Sequence, residues 1–105
     1  MPNGESRNWI RLLSAIAGFR VRYGCWPTRV RIIPECLNDL RNSILTPDEF
    51  AKVEEKVKLI ADKHGQFLAE DDIGRRFHYG IEDFPSRRPD IEPDDWLGVF
   101  PEIED

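Results

Sequence analysis

Arg29-Val30-Arg31-Ile32-Ile33 alternates cation and aliphatic with a period of two and then runs directly into Pro34. That pattern predicts a half-buried strand, with Val30 and Ile32 facing a core and Arg29 and Arg31 facing solvent or a partner. Pro34 suits the first position of a helix, where its missing N–H costs nothing, and Leu37, Leu40 and Ile44 follow at helical spacing. Strand must therefore give way to helix almost at once.

Thr46-Pro47-Asp48-Glu49 reads as a capping box, with Thr46 at the cap, Pro47 in the first turn and Glu49 reaching back. The helix it starts turns Phe50 and Val53 inward. Residues Val57 to Ala61 fit either an extension of that helix or a new strand. A strand from about Lys56 or Val57 is the expectation, because tight turns follow at close spacing, beginning with Asp62-Lys63-His64-Gly65. Strand, helices and strand then make one β-α-β step.

Upstream, Trp9, Leu12, Leu13, Ile16, Phe19 and Tyr23 recur every three or four positions, as one helix face requires. Ser6 or Asn8 is the candidate cap and Gly24 the left-handed stop. Phe19 to Tyr23 also alternates like a strand; a helix to about Arg22 is preferred. Downstream, Gln66 to Asp71 and Arg75 to Tyr79 flank Asp72-Ile73-Gly74, a hairpin signal because Gly74 can take a positive φ. Phe67 and Ala69 should share a face with Phe77 and Tyr79, with Glu70 opposite Arg76 or His78. The expected fold is α+β: a three- or four-stranded mixed sheet ending in a β-hairpin and covered by about three helices.

With 105 residues there is room for a single domain, and 40% hydrophobic with 33% charged residues suits a soluble globular protein. The net charge of −5 is unevenly spread. Residues 1 to 45 hold seven arginines against three acids, a net +4, while residues 81 to 105 hold nine acids against two arginines, a net −7. Pro85, Pro89, Pro93 and Pro101 punctuate that last segment and argue against regular helix or central strand. Residues 1–80 are therefore expected to form the domain and residues 81–105 an irregular acidic tail.

Cys25 and Cys36 are too few for a disulfide framework and lack zinc-site spacing, so two reduced thiols in a cytoplasmic protein are expected, without metal or cofactor. No apolar run reaches the roughly 18 residues of a membrane span. Arg7 and Arg11 ahead of Leu12 to Phe19, with Ala15-Ile16-Ala17, resemble a secretory signal, but Ser14 and Gly18 interrupt a stretch already at the short limit.

Three functional readings follow. In the first, the chain is a small interaction module, of regulator, inhibitor or immunity type, that binds a basic protein through its acidic tail and the adjacent face. Phe84, Asp94, Asp95, Trp96 and Phe100 would act together with the loop residue Trp26. In the alternative, Arg20, Arg22, Arg29 and Arg31, interleaved with Phe19, Tyr23 and Trp26, form a nucleic-acid or anion-binding face. The bland counterpart of that face is a solvated sheet and helix surface neutralised by the chain's own acids. The third reading is a small hydrolase or nuclease built on Glu70, Asp72 and His78, with His64 nearby in sequence. An ordinary structural hairpin is the preferred explanation of those acids, with Asp71 and Asp72 as turn residues, and no nucleophile elbow, P-loop, HExxH or dinucleotide fingerprint is present.

Overall fold

The alternating segment forms an inner strand, β1 (Arg29–Ile32), in a computed structural model that describes residues 3–81 and 88–101. Parallel to it lies β2 (Lys58–Ala61), and antiparallel on its other side lies β3 (Gln66–Glu70), which pairs in turn with β4 (Arg76–His78). The sheet order is β2-β1-β3-β4. The parallel pair is the β-α-β step, and the antiparallel pair β3–β4 is the hairpin.

Four helical elements accompany the sheet among the described residues: α1 (Asn3–Tyr23), α2 (Pro34–Asp39), α3 (Pro47–Lys56) and α4 (Pro93–Leu97). Helix α1 starts earlier than either candidate cap, so Ser6 and Asn8 lie inside it. Asn8 is buried and instead ties α1 to α2, donating from Nδ2 to Asp39 Oδ2 at 3.1 Å. The helix stops at Gly24, whose φ of 76° is the left-handed conformation open to glycine. Helix α2 carries Pro34 in its first turn and widens into a π turn over Leu40–Ile44, closed by Leu45 N–H donating to Leu40 C=O at 2.9 Å. The capping box of α3 is complete: Glu49 N–H donates to Thr46 Oγ1 at 3.1 Å and Thr46 N–H to Glu49 Oε1 at 2.9 Å. Val57 then turns extended and β2 follows at once, so the helix does not run on.

Val30, Ile32, Leu59, Phe67, Ala69 and Phe77 point to one side of the sheet and pack against Leu12, Ile16 and Phe19 of α1, Leu37 and Leu40 of the α2 segment, and Val53 of α3. Helix α4 sits in this same helical layer, in contact with α1 and α3. Among the described residues no helix covers the opposite side, where Lys58, Ile60, Arg29, Arg31, Leu68, Glu70, Arg76 and His78 alternate with the core residues. Among the described residues the architecture is thus two layers, with helices on one sheet face only.

Residues 88–101, which the sequence reading assigns to the tail, include the short helix α4 and two core side chains. Leu97 is 3% exposed and Val99 1% exposed, and both belong to the core cluster. The prolines do not exclude a short helix here, because Pro93 occupies a first-turn position and Gly98, at φ 73°, supplies the stop.

On each edge strand the chain itself bonds some of the outward backbone groups. On β2, Lys58 and Asp62 donate their N–H groups to β1 and its flanks, so by ladder alternation the Leu59 N–H points outward; Glu54 Oε2 accepts it at 2.8 Å. On β4, the Arg76 carbonyl accepts from Tyr23 O–H at 2.8 Å and the His78 carbonyl from Ile81 N–H at 3.2 Å.

Candidate interaction surface

Two side-chain constellations stand out, one on each layer. The first begins at the C-terminal turn of α1, where Arg20 is aimed past the helix end. Its Nε donates to Asp90 Oδ1 at 3.0 Å and its Nη2 to Asp90 Oδ2 at 2.8 Å, a bidentate pair, while Nη1 donates to the Gly24 carbonyl at 2.9 Å. The guanidinium carbon lies 4.7 Å from the centroid of the Trp26 ring. Trp26 stacks on Trp96 of α4, with centroids 4.2 Å apart and planes inclined by 4°, and Lys56 Nζ of α3 lies 5.7 Å from the Trp96 centroid. Cation, indole, indole and cation thus fasten the acidic segment to the helical layer. The hydrogen bonds from Arg20 hold the Asp90 carboxyl down to about 2, against an ordinary 3.8.

Trp26 and Trp96, both expected to meet a partner, are thereby brought against each other, each half-buried. Asp94 and Asp95 occupy the first turn of α4, where negative charge is favourable, and Asp94 Oδ1 accepts the Asp95 N–H at 2.9 Å. Asp95 is exposed, and Phe100 is 62% exposed directly after the buried Val99. Phe84 lies outside the described residues.

The second constellation lies on the sheet face away from the helices, around Glu70, which is 7% exposed. Glu70 Oε1 accepts from Arg29 Nε at 2.7 Å and Arg31 Nε at 3.1 Å, and Oε2 lies 3.8 Å from Arg76 Nη2. Arg29 also donates to Asp72 Oδ1 at 2.9 Å and to the Asp71 carbonyl at 3.2 Å, and Arg31 to Asp62 Oδ2 at 3.4 Å. Burial opposes ionisation of Glu70, yet the hydrogen bonds from Arg29 and Arg31 outweigh it and its pKa is lowered. A carboxylate held this way is a charge anchor rather than a proton donor.

Of the four arginines expected to form one basic face, Arg29 and Arg31 are side by side, Arg20 belongs to the other layer, and Arg22 lies over the Phe77 ring at 5.3 Å. They do not make one surface. Glu70 and Asp72 of the hydrolase reading are both bonded to Arg29, and His78 is opposite Leu68 in the sheet register. His64 sits in the turn before β3, where its N–H donates to Asp62 Oδ1 at 2.9 Å. Among the described residues no group of three or more His, Cys, Asp or Glu side chains is arranged to hold a metal ion, and no helix is long and apolar enough to cross a membrane.

Asp71 organises the hairpin loop. Its Oδ1 accepts the N–H groups of Ile73 at 3.1 Å and Arg75 at 3.0 Å, and Oδ2 accepts Arg75 Nε at 2.7 Å. Arg75 in turn donates from Nη2 to Cys25 Sγ at 3.1 Å, and both cysteines are free thiols. Burial pushes the Cys36 thiol up, away from the thiolate that nucleophilic chemistry needs.

Fold and surface together define, among the described residues, a two-layer α+β domain with a charged second sheet face and an acidic segment strapped to its helical layer. Comparisons with protein-family models, with curated proteins and with solved structures give no match to this chain.

Proposed function

We propose that this protein is a small protein-interaction module that presents the outer side of its acidic C-terminal segment to a basic partner. The observation that carries the reading is the placement of Phe100. It is a large aromatic left 62% exposed immediately beyond two buried anchors, Leu97 and Val99, on a segment whose neighbouring acids Asp94 and Asp95 head α4. An aromatic projecting from an acidic surrounding supplies desolvation energy while the carboxylates steer a cationic partner. Its docking on the domain limits the ordering cost that a loose peptide would meet on binding.

The nucleic-acid reading draws less support, because Arg20, Arg29 and Arg31 are each committed to carboxylates of the same chain. A phosphate backbone would have to displace those carboxylates before it gained contacts.

Immobilised full-length protein, exposed to nuclease-treated lysate of the native cell at low ionic strength, is expected to retain a basic protein that elutes as salt rises. Retention should fall about tenfold or more in Phe100→Ala and in Asp94→Asn/Asp95→Asn, a loss typical of an interface hot spot. Retention unchanged in both variants, or capture of nucleic acid alone before nuclease treatment, would contradict the reading.

A further inference from the structure

The proposed function uses the outer side of residues 88–101; the inner side points to a second interface. Where this segment meets the domain, its contacts combine core burial with features typical of a binding interface. Leu97 and Val99 enter the apolar core, but Asp90 is gripped by a two-pronged arginine and Trp96 lies flat on a second indole below a lysine. Arginine and tryptophan are the residue types that dominate interface hot spots. Beside the ion pair a cavity of about 340 Å³ remains, lined by Arg20, Val21, Gly24, Arg88, Pro89 and Asp90.

We propose that Arg20, Trp26 and Lys56 form a peptide-binding groove for acidic, tryptophan-bearing segments, and that residues 88–101 occupy it as a cis ligand that the same sequence supplied in trans can replace. The occupant already in place defines the chemistry recognised. A carboxylate meets the guanidinium fork of Arg20, and six positions later an indole fills the space between Trp26 and Lys56. The bidentate geometry selects a carboxylate over a neutral amide, and the parallel stacking selects a broad flat ring over an aliphatic side chain. Because the cis segment is tethered to the domain, it competes at high effective concentration, and a trans peptide gains access in proportion to the fraction of chains whose own segment has lifted.

The probe is a synthetic peptide of residues 88–101, titrated against the full-length chain by calorimetry. Asp90→Asn in the chain, but not in the peptide, weakens the cis competitor and is expected to tighten peptide binding by about tenfold over wild type. Adding Arg20→Ala to that chain should remove the gain, as should a peptide carrying Asp90→Asn and Trp96→Ala. If a folded Asp90→Asn chain, verified by circular dichroism, binds no better than wild type, or if Arg20→Ala leaves its affinity unchanged, the groove is not a trans site.

A second measurement needs no variant chain. The peptide with a photo-crosslinking aromatic in place of Trp96 should label the Tyr23–Arg29 tryptic fragment of the wild-type protein, which contains Trp26. Labelling elsewhere, or none, overturns the proposal. Neither experiment involves Phe100 or Asp95 as a variable, so failure here leaves the outer-face function standing, and failure there leaves the groove standing.

Discussion

Gly18→Ala is expected to destabilise the protein by about 2 kcal/mol, near the middle of the range for overpacking a closed core. For a domain of this size that corresponds to a fall of about 10 °C in the thermal midpoint, measurable by circular dichroism. A Cβ at position 18 would lie 2.6 Å from Phe77 Cζ and 2.7 Å from Phe77 Cδ2. Phe77 is completely buried in the core of the sheet, and Phe19, next to Gly18 on α1, is equally buried. The ring therefore has no solvent side to retreat into. Helix propensity alone predicts the reverse outcome, since alanine is favoured over glycine inside a helix by roughly 1 kcal/mol. An unchanged or raised midpoint would mean that α1 does not ride on Phe77 as described.

Glu70→Ala is the second large effect, expected at about 2 kcal/mol; this lies below the roughly 3–5 kcal/mol for breaking a fully buried pair, because both arginines keep contact with water. Removing the carboxylate leaves Arg29 and Arg31 adjacent on β1 without their shared counter-charge. The loss also has a pH signature. The folded-state pKa of Glu70 lies below its ordinary 4.5, so its contribution is fully present above that value and is lost as pH falls through the lowered folded-state value. Urea denaturation of wild type and variant should accordingly show a gap at neutral pH that narrows under acid conditions. A gap independent of pH would assign the effect to lost packing instead of charge.

Features encoded within a few neighbouring residues were legible in the sequence. The alternation at Arg29–Ile32, the proline opening α2, the Thr46–Glu49 capping box and the Gly74 turn each carry their own structural reason within about four residues. Their order gives an α+β fold with a three- or four-stranded mixed sheet, and the sheet has four strands. Pairings over long sequence separation were not legible. Nothing local marks Asp90 as the partner of Arg20, 70 residues away, or Glu70 as the shared anchor of Arg29 and Arg31; those depend on chain reversal and on the register of β1 with β3.

The register of β1 with β3 is itself irregular. It shifts between Arg31 and Ile32, where Phe67 adopts a positive φ of 58°. Gly65 packs so closely there that an added Cβ would lie 2.7 Å from Arg31 Cβ. Gly18 was similarly opaque: as a glycine within an apolar helical run it suggests only a weak point, and its role emerges once Phe77 is placed against it. The candidate interaction residues divided along the same line. Asp95 and Phe100 are exposed and Asp94 is half-buried, whereas Trp26 and Trp96 were drawn from sequence as partner contacts and meet each other.

Both proposals rest on the acidic segment being held on the helical layer through Arg20, and titration of the Asp90 carboxyl by carbon-detected NMR tests that most directly. Hydrogen bonds from Arg20 depress the folded-state pKa, so the ion pair stabilises the docked segment above the ordinary 3.8 and is lost as pH falls toward the folded-state value. The docked segment predicts a midpoint of about 2 that returns toward 3.8 when Arg20→Ala removes the guanidinium. A wild-type midpoint already at 3.8, unmoved by Arg20→Ala, would contradict the account.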